Sequence, residues 1–237
     1  MTSTSIIYLV PSFLSEEAVD TIPDYVIDAV KNCNVIFAEN ERTARRFLKS
    51  MCKEIVIDDY EWFTIHKTEE EQINTFKQKI KEEKNIAVIS EAGCPGIADP
   101  GQILIDIAQQ LNVTVKPLVG PSSFLLALMA SGMNGQQFQF TGYLPIDTQE
   151  RTTKIKELED ESQRKKCTQI FIETPYRNNQ LLEAILKTCK PSTKLCIAAE
   201  LTSKNEFIKT KSIADWKNEN TDLHKKPVIF LLQANSR

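Results

Sequence analysis

The segment NIAVISEAGCPGIADPGQILIDIAQQL, residues 85–111, is where the fold can be read. Its first six residues are short, apolar and rich in β-branched side chains, which predicts a buried strand. From Gln102 to Leu111 the apolar residues recur at helical spacing. Between them SEAGCPGIADPG (90–101) holds three of the chain's seven glycines and two of its ten prolines. A strand that empties into a stiff loop and then enters a helix is half of a βαβ unit. In an open α/β sheet, ligands bind beyond the carboxyl ends of such strands. Gly93 and Gly96 have no Cβ to hold a ligand off the peptide, and Pro95 and Pro100 reduce the entropy lost on ordering. The alternative is a plain strand-to-helix connection, which glycine and proline often make. Neither G-x-x-x-x-G-K-[ST] nor G-x-G-x-x-G is present, and the loop's charges are Glu91 and Asp99. Two acids and no base point to a ligand with neutral or cationic groups, and away from a nucleoside triphosphate.

The same alternation extends upstream. Strands are predicted at 6–10, 34–39, 54–58, 85–90 and 113–119, with helices at 23–33, 43–51, 70–83 and 102–111, which is the pattern of a parallel sheet. Downstream the order changes. A small-residue helix (124–133) leads to FQFTGYLP (138–145), a highly charged helix (148–166), strand 168–173 and helix 179–189. Three further strands follow (194–201, 206–212, 227–233) with one short helix among them, so antiparallel pairs and a mixed sheet are expected. The expected domains are 1–117 and 118–237, hinged at KPLVGPSS.

The chain has 237 residues and a net charge of −3, so it has no global attraction for nucleic acid or an anionic membrane. Any RNA contact must be local. MTSTSIIYLVPSF has no basic region and only a short apolar run, so no signal peptide is expected. No run approaches a membrane span, and the expected setting is cytoplasmic. The six cysteines form no C-x-x-C pair and read as reduced core residues. His66 and His224 lack companions at ligand spacing, so no metal is expected. Tyr60, Trp62 and Phe63 suit either base stacking or packing between subunits. Arg42, Arg45, Arg46 and Lys49 form either a local basic face or a solvated helix face. Met129 and Met133, four apart on the small-residue helix, read as core.

Five stretches together, IIYLVPSF, FAENERTARRFL, VISEAGCPGIADPG, PLVGPSSFLLALMASGM with FTGYLP, and IFIETPYR with AAELTS, span residues 6–203. In this order they resemble the tetrapyrrole methylase superfamily, and within it the branch that methylates a ribose 2′-OH of small-subunit rRNA. The resemblance implies two α/β domains with S-adenosylmethionine between them, in a homodimer. Carried onto this chain, the cofactor contacts fall on Ala92, Gly93, Cys94 and Ile97 in the first domain, Ser122 and Ser123 at the junction, and Glu173 and Leu201 beyond it. Pro11, Arg42 and Arg177 fall on the substrate side, and Glu39 is the candidate to orient or deprotonate the attacking hydroxyl, its alternative role being an ion pair with Arg42 or Arg45. Methyl transfer from a sulfonium needs proximity and alignment more than a metal.

The chain departs from that branch at its first loop, where VPSFL stands for T-P-I-G-N and the first 92 residues contain no glycine. It has ENER (39–42) for E-D-T-R, and LHKKP (223–227) where a glycine–glutamate usually precedes the last strand. Two other readings fit these departures: the same fold acting on a small molecule such as a tetrapyrrole, or a dimeric scaffold that has lost turnover.

Overall fold

The computed structural model describes residues 4–65 and 69–234, so His66 lies outside the described residues. The chain divides into two compact units, Met1–Ser122 and Ser123–Arg237.

The first unit contains strands β1 (Ile6–Val10), β2 (Val35–Ala38), β3 (Glu61–Thr64), β4 (Ile86–Ile89) and β5 (Thr114–Pro117). Helices α1 (Tyr25–Lys31), α2 (Glu41–Met51), α3 (Ile73–Lys81) and α4 (Gln102–Gln110) connect them. All strand pairs are parallel, in the order β3-β2-β4-β1-β5. Right-handed crossovers that run one way across the sheet and then return must lay their helices on opposite faces. The two cores show this division. Val26, Ile27, Phe47 and Leu48 of α1 and α2 pack with Val10, Ile36 and Ile89, whereas Phe76, Ile80, Leu104 and Ile107 of α3 and α4 pack with Ile7, Phe37 and Val88. Alternate residues of each central strand serve opposite faces, which is why these strands are continuously apolar. After β2 the chain runs away towards β3, and after β4 it runs the other way towards β5. Their adjacent carboxyl ends therefore flank a topological switch point, where such sheets leave a crevice.

The second unit contains β6 (Phe138–Tyr143), β7 (Thr168–Ile172), β8 (Lys194–Ala199), β9 (Phe207–Ser212) and β10 (Val228–Gln233), with α5 (Ser123–Ser131), α6 (Thr148–Lys165), α7 (Asn178–Thr188) and α8 (Ile213–Trp216). The sheet order is β6-β7-β10-β8-β9, with β6 parallel to β7 and the other pairs antiparallel, the mixed sheet that the sequence predicts. The charged helix α6 is held at its start by Asp147, whose Oδ1 accepts from the N–H groups of Gln149 and Glu150 at 2.9 Å. It buries Ile155 and Leu158, and also Glu159, whose Oε1 accepts from Lys190 N at 2.8 Å and Thr193 Oγ1 at 2.5 Å. A charged helix docks here because its one buried acid is fully engaged on that oxygen.

Two expectations are corrected, and one open alternative is narrowed. Residues 54–58 are not a strand. Ile55 is buried and Val56 exposed, so a tight turn at Ile57–Asp59 satisfies that alternation without pairing. EWFT takes the sheet position instead: Phe63 stacks on Phe37 at 5.0 Å, and Trp62 Nε1 donates to Ile57 O at 3.0 Å. Trp62 and Phe63 are therefore half-buried strand residues, with the Arg45 guanidinium 5.0 Å above the Trp62 ring, and not a free stacking platform. Met129 is not core but 79% exposed, because α5 lays its Ala127 and Leu128 face on the sheet and turns Leu125 and Met129 outward. Cys33, Cys167, Cys189 and Cys196 are buried and all six thiols are free; burial pushes the Cys33 thiol up to about 12, which makes it inert.

Candidate active site

Three loops at the carboxyl edge of the first sheet close on one another. Ser12 N donates to Gly93 O at 2.8 Å and Gly93 N to Ser12 O at 3.0 Å, a two-residue antiparallel bridge. Ser12 Oγ also donates to Ser90 O at 2.8 Å, and Ser90 Oγ to Gly93 O at 3.2 Å. The third loop arrives after β5. A Cβ on Gly120 would lie 2.2 Å from Pro11 Cβ, so the peptide of Gly120 lies directly against the Pro11 ring. Cys94 Sγ donates towards Pro121 O at 3.6 Å.

This clasp accounts for several glycines. Gly93 has φ +75°, which only glycine adopts without strain, and both of its backbone polar groups are taken by Ser12. Gly93 is therefore buried, and the outward faces of the loop belong to Ala92, Ile97 and, in part, Cys94. Pro11 is buried as well, its ring facing Gly120. The first loop thus needs no glycine of its own, because the close approach is made from Gly120.

At the switch point between β2 and β4 the side chains are acidic. Glu39 N donates to Ile89 O at 2.9 Å, and Glu39 Oε2 accepts from Glu91 N at 2.9 Å. Thr43 Oγ1 donates to Glu91 Oε1 at 3.1 Å. Asp99 stands beside both acids. Burial first, then the charges of Glu39 and Glu91, push its carboxyl up to about 7. A cation placed among these three groups would relieve that repulsion. Asn40 caps α2 by accepting from Arg42 N and Thr43 N, leaving the Arg42 side chain exposed. The other basic residues of this helix are engaged within the chain, as on a solvated helix face. Arg45 pairs with Glu41 and Asp58, Arg46 with Glu16, and Lys49 Nζ donates to Lys53 O.

In the second unit, β7 delivers Glu173 to the carboxyl edge of its sheet with the side chain fully buried. Oε1 accepts from Thr174 N at 2.6 Å and from Arg177 Nε and Nη2 at 3.0 and 2.7 Å. Oε2 is buried without a partner, as an acceptor awaiting a donor would be. Arg177 thus spends its guanidinium first on Glu173, the i, i+4 spacing that the sequence already displays. Leu201 is buried between Glu200 at φ +52° and Thr202 at φ +66°, so a tight left-handed turn fixes it. Ser122 ends the first unit and Ser123 opens α5; both are half-buried. The residues missed in the sequence are Ser12, which carries the bridge to Gly93, and Asp99 as the titrating member of the loop. Ser12 had no signal, since its partner lies 81 positions away in a different motif.

The fold belongs to the class of two-domain α/β methyltransferases. The crystal structure of the methyltransferase CobJ matches with a TM-score of 0.64 at 16% identity, covering 97% of this chain and 93% of that one. That of uroporphyrin-III-C-methyltransferase from Thermus thermophilus matches at 0.57 and 14%, covering 97% and 92%. The sequence profile of the tetrapyrrole (corrin/porphyrin) methylases matches residues 19–216, and the chain belongs to that family. A relative from Buchnera aphidicola subsp. Schizaphis graminum, named ribosomal RNA small subunit methyltransferase I, is 30% identical over 98% of this chain and 79% of its own length. One of the same name from Bacillus subtilis is 31% identical, over 91% of this chain and 71% of its own length. Another, from Escherichia coli O157:H7, is 28% identical over 97% and 78%.

Proposed function

We propose that the protein is an S-adenosylmethionine-dependent methyltransferase acting on a ribose 2′-OH of small-subunit rRNA. The observation that carries the chemistry is the acidic, clasped loop Ser90–Gly101 at the switch point, supported by the family and by relatives whose shared name specifies the substrate. The residues fit a cationic cofactor, since Glu39, Glu91 and Asp99 gather, and burial first, then the charges of the two glutamates, raise the Asp99 carboxyl to about 7. When bound, S-adenosylmethionine supplies a methyl group already activated by its sulfonium. Ala92, Cys94 and Ile97 offer the loop's binding surface, Gly93 holds its shape, and Ser122, Ser123, Glu173 and Leu201 are the further cofactor residues. Glu173 Oε2 is the free acceptor among them.

Methylation of the hydroxyl would form its O–C bond as the sulfonium's S–C bond breaks to leave a neutral thioether, and the hydroxyl proton released needs an acceptor. Glu39 orients the hydroxyl in this reading, and Asp99, its carboxyl near neutrality, takes the proton. Arg42 is the exposed cation for a phosphate, and Pro11 and Arg177 act on the substrate side by holding the loops that carry them. Assembly as a homodimer is part of the proposal, supported by the outward apolar face of Leu125 and Met129 on α5. So is a cytoplasmic setting, where ribosomal subunits are found; among the described residues no helix is long and apolar enough to cross a membrane.

The test is calorimetric titration with S-adenosylmethionine, followed by transfer of labelled methyl to small ribosomal subunits. Stoichiometric binding and ribose labelling are expected. Absence of cofactor binding by the folded protein overturns the proposal.

A further inference from the structure

The second unit carries a feature that the proposed reaction does not use. Past Glu173 the chain runs through TPYRNN (174–179), and before β10 it runs through TDLHKKP (221–227), both at one edge of the sheet. The two loops are stapled together. Lys225 N donates to Pro175 O at 2.9 Å, Asn178 Nδ2 to Lys226 O at 2.7 Å, Leu223 N to Asn179 Oδ1 at 2.8 Å and Asn179 Nδ2 to Asp222 Oδ1 at 2.8 Å. On this rigid base Tyr176 is 68% exposed, its ring 5.9 Å from that of His224 at an interplanar angle of 73°.

The loops do not need Tyr176 for their own packing, because backbone and Asn bonds hold them. Nor is every nearby cation paired. Asp222 is occupied by Asn179 and by His224 N, Glu173 by Arg177, and Glu200 lies 3.7 Å from Lys226. Among the described residues no carboxylate lies in ion-pair range of Lys225, which is exposed and held at φ +61°, a conformation that suits glycine better than lysine. An exposed aromatic face on a fixed loop with an uncommitted cation beside it is what a single nucleic-acid strand recognises: a base stacks on the ring and a phosphate meets the ammonium. A duplex keeps its base faces stacked internally and cannot use the ring.

We propose that Tyr176, His224 and Lys225 form a contact for single-stranded RNA, holding a nucleotide outside the reacting one with its base against the aromatic pair and its phosphate on Lys225. The inference rests on the RNA methyltransferase reading and adds residues to it. The test uses a fluorescent ten-nucleotide oligocytidine, a duplex RNA of equal length and small ribosomal subunits, with Tyr176→Ala, Tyr176→Phe and Lys225→Ala. Tyr176→Ala weakens single-strand binding about tenfold while Tyr176→Phe preserves it, and duplex binding is unchanged. Lys225→Ala lowers the slope of log affinity against log salt by about 0.7. In methyl transfer both alanine variants raise KM for subunits and leave kcat and S-adenosylmethionine affinity intact. Oligocytidine binding and salt slopes equal to the parent's in both alanine variants overturn this inference alone. Equal losses on duplex and single strand also overturn it, because they show a contact by charge only. If the parent protein binds cofactor yet neither binds nor methylates any RNA, the RNA reading fails and this contact with it.

Discussion

Substitution of Gly120 by alanine tests the clasp of the first unit. The added methyl would stand 2.2 Å from Pro11 Cβ and 2.4 Å from Pro11 Cγ. Carbon atoms in contact sit about 3.5 Å apart, so one partner must move by about 1.3 Å. Neither moves easily: Pro11 follows directly on β1, and the adjoining Ser12 is tied to Gly93 and Ser90. Overpacking of this kind costs about 3 kcal/mol, the upper end of its usual range. In a unit of this size that lowers its melting temperature by about 10 °C. Pro11→Gly removes both obstructing carbons and leaves Pro11 Cα's position 3.7 Å away, an ordinary contact. Alone it costs about 1 kcal/mol, through a freer unfolded chain. The double variant Pro11→Gly/Gly120→Ala then recovers about 2 kcal/mol relative to the sum of the singles. Calorimetric melting gives the energies, and amide exchange at Ser12 and Gly93 reports whether the bridge between them opens. Strict additivity of the two substitutions, or a Gly120→Ala protein that melts with the parent, refutes the reasoning.

Asp99 makes a pH prediction. Its folded carboxyl is raised to about 7, above the unfolded value of about 3.9, so the native state binds the proton more tightly. This stabilisation is fully present below the unfolded value and is lost as pH rises through 7. Urea midpoints should fall between pH 5 and pH 8, and Asp99→Asn should flatten the decline; an unchanged slope in the variant removes Asp99 as its source. Ile97→Lys adds bulk and positive charge to an exposed loop position. S-adenosylmethionine affinity should drop at least about tenfold with melting unchanged, whereas wild-type affinity by calorimetry would take Ile97 out of the site. Leu125→Lys with Met129→Lys charges the outward face of α5. Light scattering should show a dimer for the parent and a monomer for the variant, and a variant dimer would place the interface elsewhere. Glu173→Gln keeps the shape but weakens the charged bonds to Arg177, so stability should fall by about 1–2 kcal/mol in urea. No change would mean that the pair is not a support of the loop.

The sequence by itself determined the two sheets, because hydrophobic period and element order are local properties. Residues 85–111 fold as they read, from the buried strand Ile86–Ile89 to helix Gln102–Gln110. The third strand was not legible. EIVID has the stronger β composition, but EWFT wins because it pairs with β2 and Phe63 finds Phe37, partners set by tertiary register. The outward turn of Met129 was hidden for a similar reason: a helix apolar all round has no stripe to show which face the sheet will take. The same limit applies at the candidate site. Composition marked the loop and its acids, but Gly93 serves Ser12, Gly120 serves Pro11, and Glu39 holds Glu91 across distances in sequence that no local pattern spans. What the glycines and acids are for was decided by which loop ends the parallel sheet brings to one edge, since only there do their backbones meet.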